Sequence, residues 1–270
     1  MTDSTDSIGR RTALRTLVAS TAIGLAGCND SSSVAQSNPL TDVSLTDTTL
    51  VVEFDADASI DEITVIQPDG EAFASRSVTS GSSKVTIDIG TQYSPGEYTV
   101  HALDGEETIG ERTLTIRPDV QITELKLGRN HPDEMYEGAG NSSTRSEVIL
   151  TVENTGTGPD AVTQLLFEGD VPQPTDKDVD KSWIYDTSSD TGGDADSVAL
   201  PPGESATIYS TSLPFTTASS NVSCTPDGEL GQFTAIVRLE IGESLQRRYD
   251  VEYTGDGLSD CEIAVSRIEQ

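Results

Sequence analysis

The chain has 270 residues, of which 46 are acidic and 16 are basic, so its formal net charge at pH 7 is −30. This charge argues against nucleic acid as a partner, because phosphate binding requires clustered lysine and arginine side chains. The length is sufficient for two domains, and a hydrophobic content of 34% suffices for strands that bury only one face.

Residues 1–27 have the pattern of an export signal. Arg10 and Arg11 lie in a basic segment that precedes an uncharged, mildly apolar run from Thr16 to Gly27. This run is about half of the roughly 20 residues that a membrane-spanning helix needs, and it fits the apolar region of a secretory signal. The segment RRTALR resembles a twin-arginine export signal, although Ala13 stands where an aromatic residue is usual.

The apolar run ends in Leu25-Ala26-Gly27-Cys28, which resembles the lipobox of lipoproteins. The resemblance implies that the Cys28 thiol is lipidated, that Cys28 is the first mature residue, and that the chain is anchored to the outer face of the cell membrane. The alternative is a plain cleaved signal with an incidental cysteine. Residues 28–39 would then form a polar tether between the lipid and the first domain.

The export signal, the lipobox and the acidic surface together resemble a haloarchaeal surface lipoprotein. At a salt concentration of about 1 M, charges more than about 3 Å apart are screened, so a halophilic protein tolerates strong like-charge repulsion.

Residues 40–118 are predicted to form an all-β domain, an immunoglobulin-like β-sandwich. The alternating or apolar strand patterns lie at Thr49–Phe54, Asp61–Gln67, Lys84–Ile89, Ser94–Leu103 and Arg112–Arg117. Six or seven short strands with a turn about every 8–12 residues are typical of a β-sandwich. The stretch from Ser94 to Val100 resembles the tyrosine-bearing strand of immunoglobulin-like domains, with Tyr98 as the tyrosine.

Residues 119–270 are predicted to form a second sandwich. The clearest hairpin joins a strand with Phe233, Ala235, Val237, Leu239 and Ile241 on one face to a strand from Leu245 to Tyr253. The segments VENTGTGPDAV, LPPGESATI and FTAIVRLEI resemble the CARDB-type adhesion-related domain. This resemblance covers residues 150–241 and implies an immunoglobulin-like sandwich, extracellular interaction and no catalytic residues.

Three cysteines are present. If Cys28 carries lipid, Cys224 and Cys261 remain, and they are predicted to form a disulfide because the compartment outside the cytoplasm permits one. Two free thiols are the alternative.

Two segments are longer than a minimal sandwich requires: residues 128–146 and an acidic insertion at residues 168–199. The insertion contains Trp183 and Tyr185, which either form an exposed recognition site or fold back over the edge of the sandwich. Asn141 and Asn221 lie in N-x-S sequences and are candidate glycosylation sites in an exported protein.

No catalytic, cofactor or metal motif is evident. The run from Asp176 to Lys181 begins like a calcium loop, but lysine and threonine occupy the positions where that loop needs glycine and glutamate. The two histidines, His101 and His131, have no local partner, and an enzyme would require one of them close to a buried serine or carboxylate.

We therefore expect a non-catalytic surface lipoprotein, a membrane-anchored extracellular module that binds a surface protein or a glycan. The alternative is a ligand-binding accessory subunit of a transporter or envelope complex. In that case residues 128–146 and 168–199 should converge on one place.

Overall fold

The structure, a computed structural model, describes residues 38–177, 180–185, 194–219 and 221–268. The predicted signal, Cys28 and nearly all of the tether lie outside these residues. Most of the described chain is β-strand, so the all-β prediction is confirmed. In the described part of the chain, no helix has the length and apolar character needed to cross a membrane.

The first sandwich is built from residues 40–116. Its strands are β1 (Leu40–Thr46), β2 (Thr49–Phe54), β3 (Glu62–Ile66), β4 (Ala72–Ser77), β5 (Lys84–Asp88), β6 (Gly96–Asp104) and β7 (Glu107–Ile116). One sheet has the order β1-β2-β5 and the other the order β4-β3-β6-β7, and all pairs are antiparallel. This division of seven strands between two sheets, with β3 beside β6, is immunoglobulin-like.

Alternation along the strands produces the core of this sandwich. Every second residue of the central strands is buried, namely Leu50, Val52, Ile63, Val65, Ile87, Tyr98, Val100 and Ala102. Tyr98 lies near the start of β6, and its hydroxyl donates a 2.9 Å hydrogen bond to the carbonyl of Ser94. This is the tyrosine corner of immunoglobulin-like folds, so the predicted resemblance of this strand is confirmed.

The second sandwich is built from residues 120–267. Its strands within the described residues are β8 (Val120–Leu127), β9 (Val148–Asn154), β10 (Asp160–Gly169), β11 (Ile184–Tyr185), β12 (Val198–Leu200), β13 (Ser205–Ser210), β14 (Glu229–Leu239), β15 (Leu245–Thr254) and β16 (Glu262–Arg267). The sheets have the orders β11-β13-β9-β8 and β12-β10-β14-β15-β16. A short helix, α1 (Asn141–Ser146), and 3-10 turns at Pro132–Glu134 and Leu258–Asp260 lie between strands.

A disulfide joins Cys224, which precedes β14, to Cys261, which precedes β16, with an S–S distance of 2.10 Å. The prediction of this bond is confirmed. Because it closes a loop with a sequence separation of 37 residues, it contributes about 3–4 kcal/mol in the chain-entropy description. The bond fits an extracellular location and ties the edge strand β16 to the rest of the sheet.

The sandwiches are connected at a joint organised by Asn154, which is completely buried at the end of β9. Its Oδ1 accepts hydrogen bonds from the backbone N–H groups of Asp119 (3.1 Å) and Gly156 (3.0 Å). Its Nδ2 donates to the carbonyls of Gly158 (2.8 Å) and Leu200 (2.9 Å). The amide therefore uses its two acceptor and two donor positions in full.

The turn after Asn154 packs closely against the segment that links the sandwiches. The backbone N–H groups of Thr157 and Gly158 both donate to the carbonyl of Arg117. A Cβ atom at Gly158 would overlap the hydroxyl of Tyr93, so only glycine fits there. That hydroxyl donates a 2.9 Å hydrogen bond to the carbonyl of Pro159, and burial raises the pKa of Tyr93 well above its usual value.

A second contact at the joint corrects the predicted hairpin. The alternation in the sequence places Ile241 on the same strand face as Phe233, but β14 ends at Leu239 and Ile241 packs against the core of the first sandwich. The cause is the buried carboxylate of Asp160, which accepts hydrogen bonds from the backbone N–H groups of residues 240 and 241 (3.1 Å each) and 242 (2.9 Å). These bonds turn the chain out of the sheet.

We predict that Asn154→Ala lowers the free energy of unfolding by about 3 kcal/mol or more, because each buried polar group left without a partner costs about 1–3 kcal/mol. Urea unfolding followed by the fluorescence of Trp183 measures the change. The exposed Asn221→Ala is the control and should shift the free energy by less than about 0.5 kcal/mol. Equal midpoints for the two variants would show that Asn154 does not stabilise the joint.

Candidate functional site

The two long segments of the second sandwich meet on the outer face of the β11-β13-β9-β8 sheet. Tyr136, from residues 128–146, stacks on Tyr185 of β11 with ring centroids 4.3 Å apart and an interplanar angle of 30°. Tyr209 of β13 lies against both rings, at centroid distances of 5.1 Å and 6.5 Å. We call these three residues the tyrosine cluster. Its existence means that the long segments converge on one place.

The insertion reaches the cluster by forming an edge strand. Ile184 is fully buried in the core, and Ile184 and Tyr185 pair with Ser210 and Tyr209 of β13. The segment therefore folds back over the edge of the sandwich, while Trp183 and Tyr185 remain half-buried, so that a recognition role for them stays open. Because side chains alternate along a strand, Tyr185 faces outward where Ile184 faces the core.

Trp183 precedes this edge strand in an unusual backbone conformation. Its φ angle is 57°, a left-handed value that is uncommon for a bulky residue and costs about 1–3 kcal/mol. Its carbonyl accepts a 3.1 Å hydrogen bond from the backbone N–H of Thr211, and the Lys181 ammonium lies 4.5 Å from the centre of its ring. These contacts fix the backbone and the half-buried indole of Trp183, two residues before Tyr185 in the chain.

Residues 128–146 are held in place by side chains that bind backbone carbonyls. The Arg129 guanidinium donates to the carbonyls of Arg145 (Nε, 2.9 Å) and Cys261 (Nη1, 2.9 Å), and Asn130 Nδ2 donates to the carbonyl of Ile263 (2.8 Å). Burial, and next the charge of Arg145, lowers the pKa of Arg129. These bonds cover the start of the β16 edge, which protects it from pairing with another chain.

A buried carboxylate lies close to the tyrosine cluster. Glu147 precedes β9, is only 4% exposed, and accepts a 3.4 Å hydrogen bond from the hydroxyl of Tyr136 at Oε1. Burial raises the pKa of Glu147, and hydrogen bonds from Ser143 and Tyr136 partly oppose that shift. Sequence reasoning did not find this residue, because acidic residues occur throughout the chain and only the fold distinguishes a buried one.

Neither histidine takes part in a catalytic arrangement within the described residues. His131 Nδ1 lies 3.1 Å from Oε1 of Glu134, three residues along the chain, so the expectation that His131 has no local partner is wrong. His101 Nδ1 lies 3.9 Å from Glu111 Oε2. Both carboxylates are exposed to solvent. Glu134 also pairs with the Lys126 ammonium at 2.7 Å, so it belongs to a surface ion-pair network that holds the 3-10 turn.

The other predicted site residues are scattered. Asn141, the first residue of α1, and Asn221 are both exposed, so their side chains are accessible. Cys28, Arg10 and Arg11 lie outside the described residues, and so does part of the Asp176–Lys181 run. In the described ranges, no group of three or more histidine, cysteine, aspartate and glutamate side chains could hold a metal ion.

No protein-family model matches the sequence. No curated protein matches it either. Among solved structures, it is similar to a two-domain fibronectin type III segment of chicken tenascin, with 13% identity over 86% of this chain and 98% of that one and a TM-score of 0.26. It is also similar to a β-glucuronidase of glycoside hydrolase family 2, with 9% identity over 79% of this chain and a TM-score of 0.26.

The chain spans only 20% of the length of that β-glucuronidase. A third similar structure is the BSP domain of a biofilm-associated protein, with 11% identity over 76% of this chain and 28% of that one and a TM-score of 0.25. These TM-scores are low, and the fold assignment rests on the strand order described above.

We predict that Tyr136 and Tyr185 are energetically coupled. In a double-mutant cycle of Tyr136→Ala and Tyr185→Ala, the coupling should be about 0.5–1.5 kcal/mol, since stacked aromatic pairs contribute that amount beyond their buried area. Urea unfolding of the four proteins measures it. In the same cycle with Tyr136→Ala and Phe73→Ala, the two changes in unfolding free energy should be additive, because Phe73 lies in the first sandwich. A coupling free energy there as large as that between Tyr136 and Tyr185 would mean that stacking is not the cause.

Proposed function

We propose that the chain is an exported, lipid-anchored and non-catalytic binding module, and that the outer face around the tyrosine cluster is its binding surface. The observation that carries this proposal is the aromatic character of the face where residues 128–146 and the insertion meet, because the meeting of the two segments is by itself what the accessory-subunit alternative predicts. Long segments in compact domains are uncommon unless they serve a function, and binding residues are commonly placed on segments held by a rigid scaffold.

The chemistry of this face favours recognition. Tyrosine and tryptophan are enriched at the centres of interfaces, because they offer large contact area together with a polar group. Trp183, Tyr136 and Tyr185 are each half-buried, so their positions are fixed while part of each ring remains accessible. The partner is a surface protein or a glycan, and the net charge of −30 disfavours a polyanion.

Export and anchoring are supported by the sequence together with the disulfide. Arg10 and Arg11 begin the signal, and the lipobox cysteine, Cys28, receives the lipid that anchors the chain to the outer face of the membrane. Residues 29–39 span at most about 35 Å when fully extended, so the first sandwich stays close to the membrane. In this proposal the chain is a haloarchaeal lipoprotein whose second sandwich is CARDB-like, with Asn141 and Asn221 accessible to glycosylation.

The non-catalytic role is supported by the surroundings of the two histidines. Both His101 and His131 face exposed carboxylates, where general acid–base chemistry would need a positioned, partly desolvated group. The proposed binding role requires no cofactor and no reaction step.

A second candidate function is a ligand-binding accessory subunit of a transporter or envelope complex. The same convergence of the two long segments favours it, because such a subunit would form its ligand site where they meet. It differs from the first candidate in its partner: a small ligand delivered to a membrane complex, rather than a surface protein or glycan alone.

We predict that Cys28→Ser releases the protein from the membrane. The wild-type chain should sediment with membranes, begin at Cys28 and carry added lipid mass, because the thiol is the acceptor of the lipid. Membrane fractionation with intact-mass measurement tests this, with Ser31→Ala as the control that should behave like the wild type. Soluble, unmodified wild-type protein would contradict anchoring and leave a free secreted pair of domains.

A further inference from the structure

An open cleft lies beside the joint, and both sandwiches line it. Its volume is about 590 Å³, within the roughly 300–1,000 Å³ that is typical of ligand pockets, which form preferentially between domains. We call it the joint cleft. Its apolar side chains are Phe73, Tyr93 and Ile241, and its polar side chains include Gln67, Gln92 and Glu240. Within the described chain, no residue of the tyrosine cluster lines it.

The apolar part of the joint cleft is an aromatic surface of fixed orientation. Phe73 packs edge-on against Tyr98, with ring centroids 5.9 Å apart and an interplanar angle of 83°. Tyr93 packs against the same tyrosine at 6.4 Å, and its hydroxyl is bonded to the carbonyl of Pro159. Phe73 is half-buried, so part of its ring faces the cleft. A ligand therefore meets a ring that is held in place before binding.

The polar part of the joint cleft offers mainly acceptor atoms. Gln92 Nε2 donates a 2.5 Å hydrogen bond to Glu240 Oε1, and Gln67 Nε2 donates a 3.0 Å hydrogen bond to Asp69 Oδ2. These bonds engage the amide nitrogens and leave both amide oxygens and Glu240 Oε2 as acceptors. A complementary ligand therefore needs several O–H or N–H donors.

The two walls of the joint cleft are held in a fixed relation. The buried carboxylate of Asp160 accepts hydrogen bonds from the backbone N–H groups of Glu240 and Ile241, which fixes the wall from the second sandwich. The bond from Gln92 to Glu240 then connects this wall to the first sandwich. Because the joint sets this geometry in advance, binding costs little reorganisation of the protein.

These features select the class of ligand. The carboxylate of Glu240 and the net charge of −30 disfavour an anion. A purely apolar ligand would cover the acceptors without satisfying them. A pyranose sugar presents C–H groups on one face and hydroxyl donors around its rim. Its C–H groups carry partial positive charge and pack favourably on the negative face of an aromatic ring.

We propose that the joint cleft binds one uncharged pyranose unit of a glycan, packed on Phe73 and hydrogen-bonded to Gln67, Gln92 and Glu240. The sugar contacts both sandwiches, so its binding stabilises the arrangement that the joint specifies. This site is separate from the tyrosine cluster and does not depend on the proposed function of that surface.

NMR titration of the isotope-labelled wild-type chain with the methyl glycosides of glucose, galactose and mannose tests the proposal. At least one glycoside should bind with a dissociation constant on the order of 1–10 mM, as expected for so small a ligand. The shifted backbone N–H signals should belong to residues 67, 92–94 and 240–242. Choline, a cation without the hydroxyl rim, should shift none of them.

Two variants test the named contacts. Gln92→Ala removes an acceptor, and Phe73→Leu removes the ring but keeps an apolar side chain. Each should raise the dissociation constant about three- to tenfold, the effect of losing one ordinary contact. Gln173→Ala makes the first change at an exposed glutamine elsewhere in the second sandwich and should leave the constant unchanged. Unaltered signals outside the cleft would confirm that each variant is folded.

Three results would overturn the proposal. The first is the absence of shifts with all three glycosides, or equal shifts with choline. The second is wild-type affinity in both Gln92→Ala and Phe73→Leu. The third is a set of shifts centred on Tyr136 and Tyr185, which would place the sugar on the tyrosine cluster and would support the proposed function while contradicting this site.

Discussion

The fully satisfied amide of Asn154 is the contact on which the arrangement of the two sandwiches depends. It binds the linking segment, its own turn and the end of β12 at once, so none of these backbone groups is left buried without a partner. With the turn in this position, Gly158 lies against Tyr93, and Ile241, in the chain after β14, packs against the core of the first sandwich. A buried polar network of this kind specifies one geometry, because any alternative leaves some member unpaired.

Strand β9 connects this joint to the candidate binding surface. It begins beside Glu147 and the tyrosine cluster and ends at Asn154, a length of about 20 Å for its seven residues. At the start of the described chain, Asn38 donates a 2.7 Å hydrogen bond to the carbonyl of Glu111 in the first sandwich. Asn38 is therefore attached to the first sandwich, whereas the tyrosine cluster belongs to the second.

Much of the fold could be predicted because alternation is a local signal. The pattern at Thr49–Phe54 coincides with β2, and the pattern at Lys84–Ile89 matches β5 to within one residue. The strands β4 (AFASRS) and β16 (EIAVSR) were not predicted, since the apolar residues of each form a short consecutive run and do not alternate with polar ones. Their positions depend on pairing with β3 and β15, which no local pattern reveals.

The candidate site was predicted only in part, because contacts between distant parts of the chain leave no local pattern in the sequence. The sequence indicated both long segments and singled out Trp183 and Tyr185. It did not indicate that Tyr136, alone in a polar segment, stacks on Tyr185, because that contact exists only once β11 has paired with β13. Arg129 was likewise missed, since its carbonyl partners lie in parts of the chain that are distant in sequence.

The central claim is that a membrane-anchored partner-binding surface surrounds the tyrosine cluster. Site-specific photocrosslinking in cells that carry the native chain tests it directly, with the photoreactive residue at Trp183 and, as the control, at His101 on the first sandwich. The account predicts a discrete crosslinked species from position 183 that position 101 does not form. The absence of a crosslink from position 183, or the same species from both positions, would contradict it.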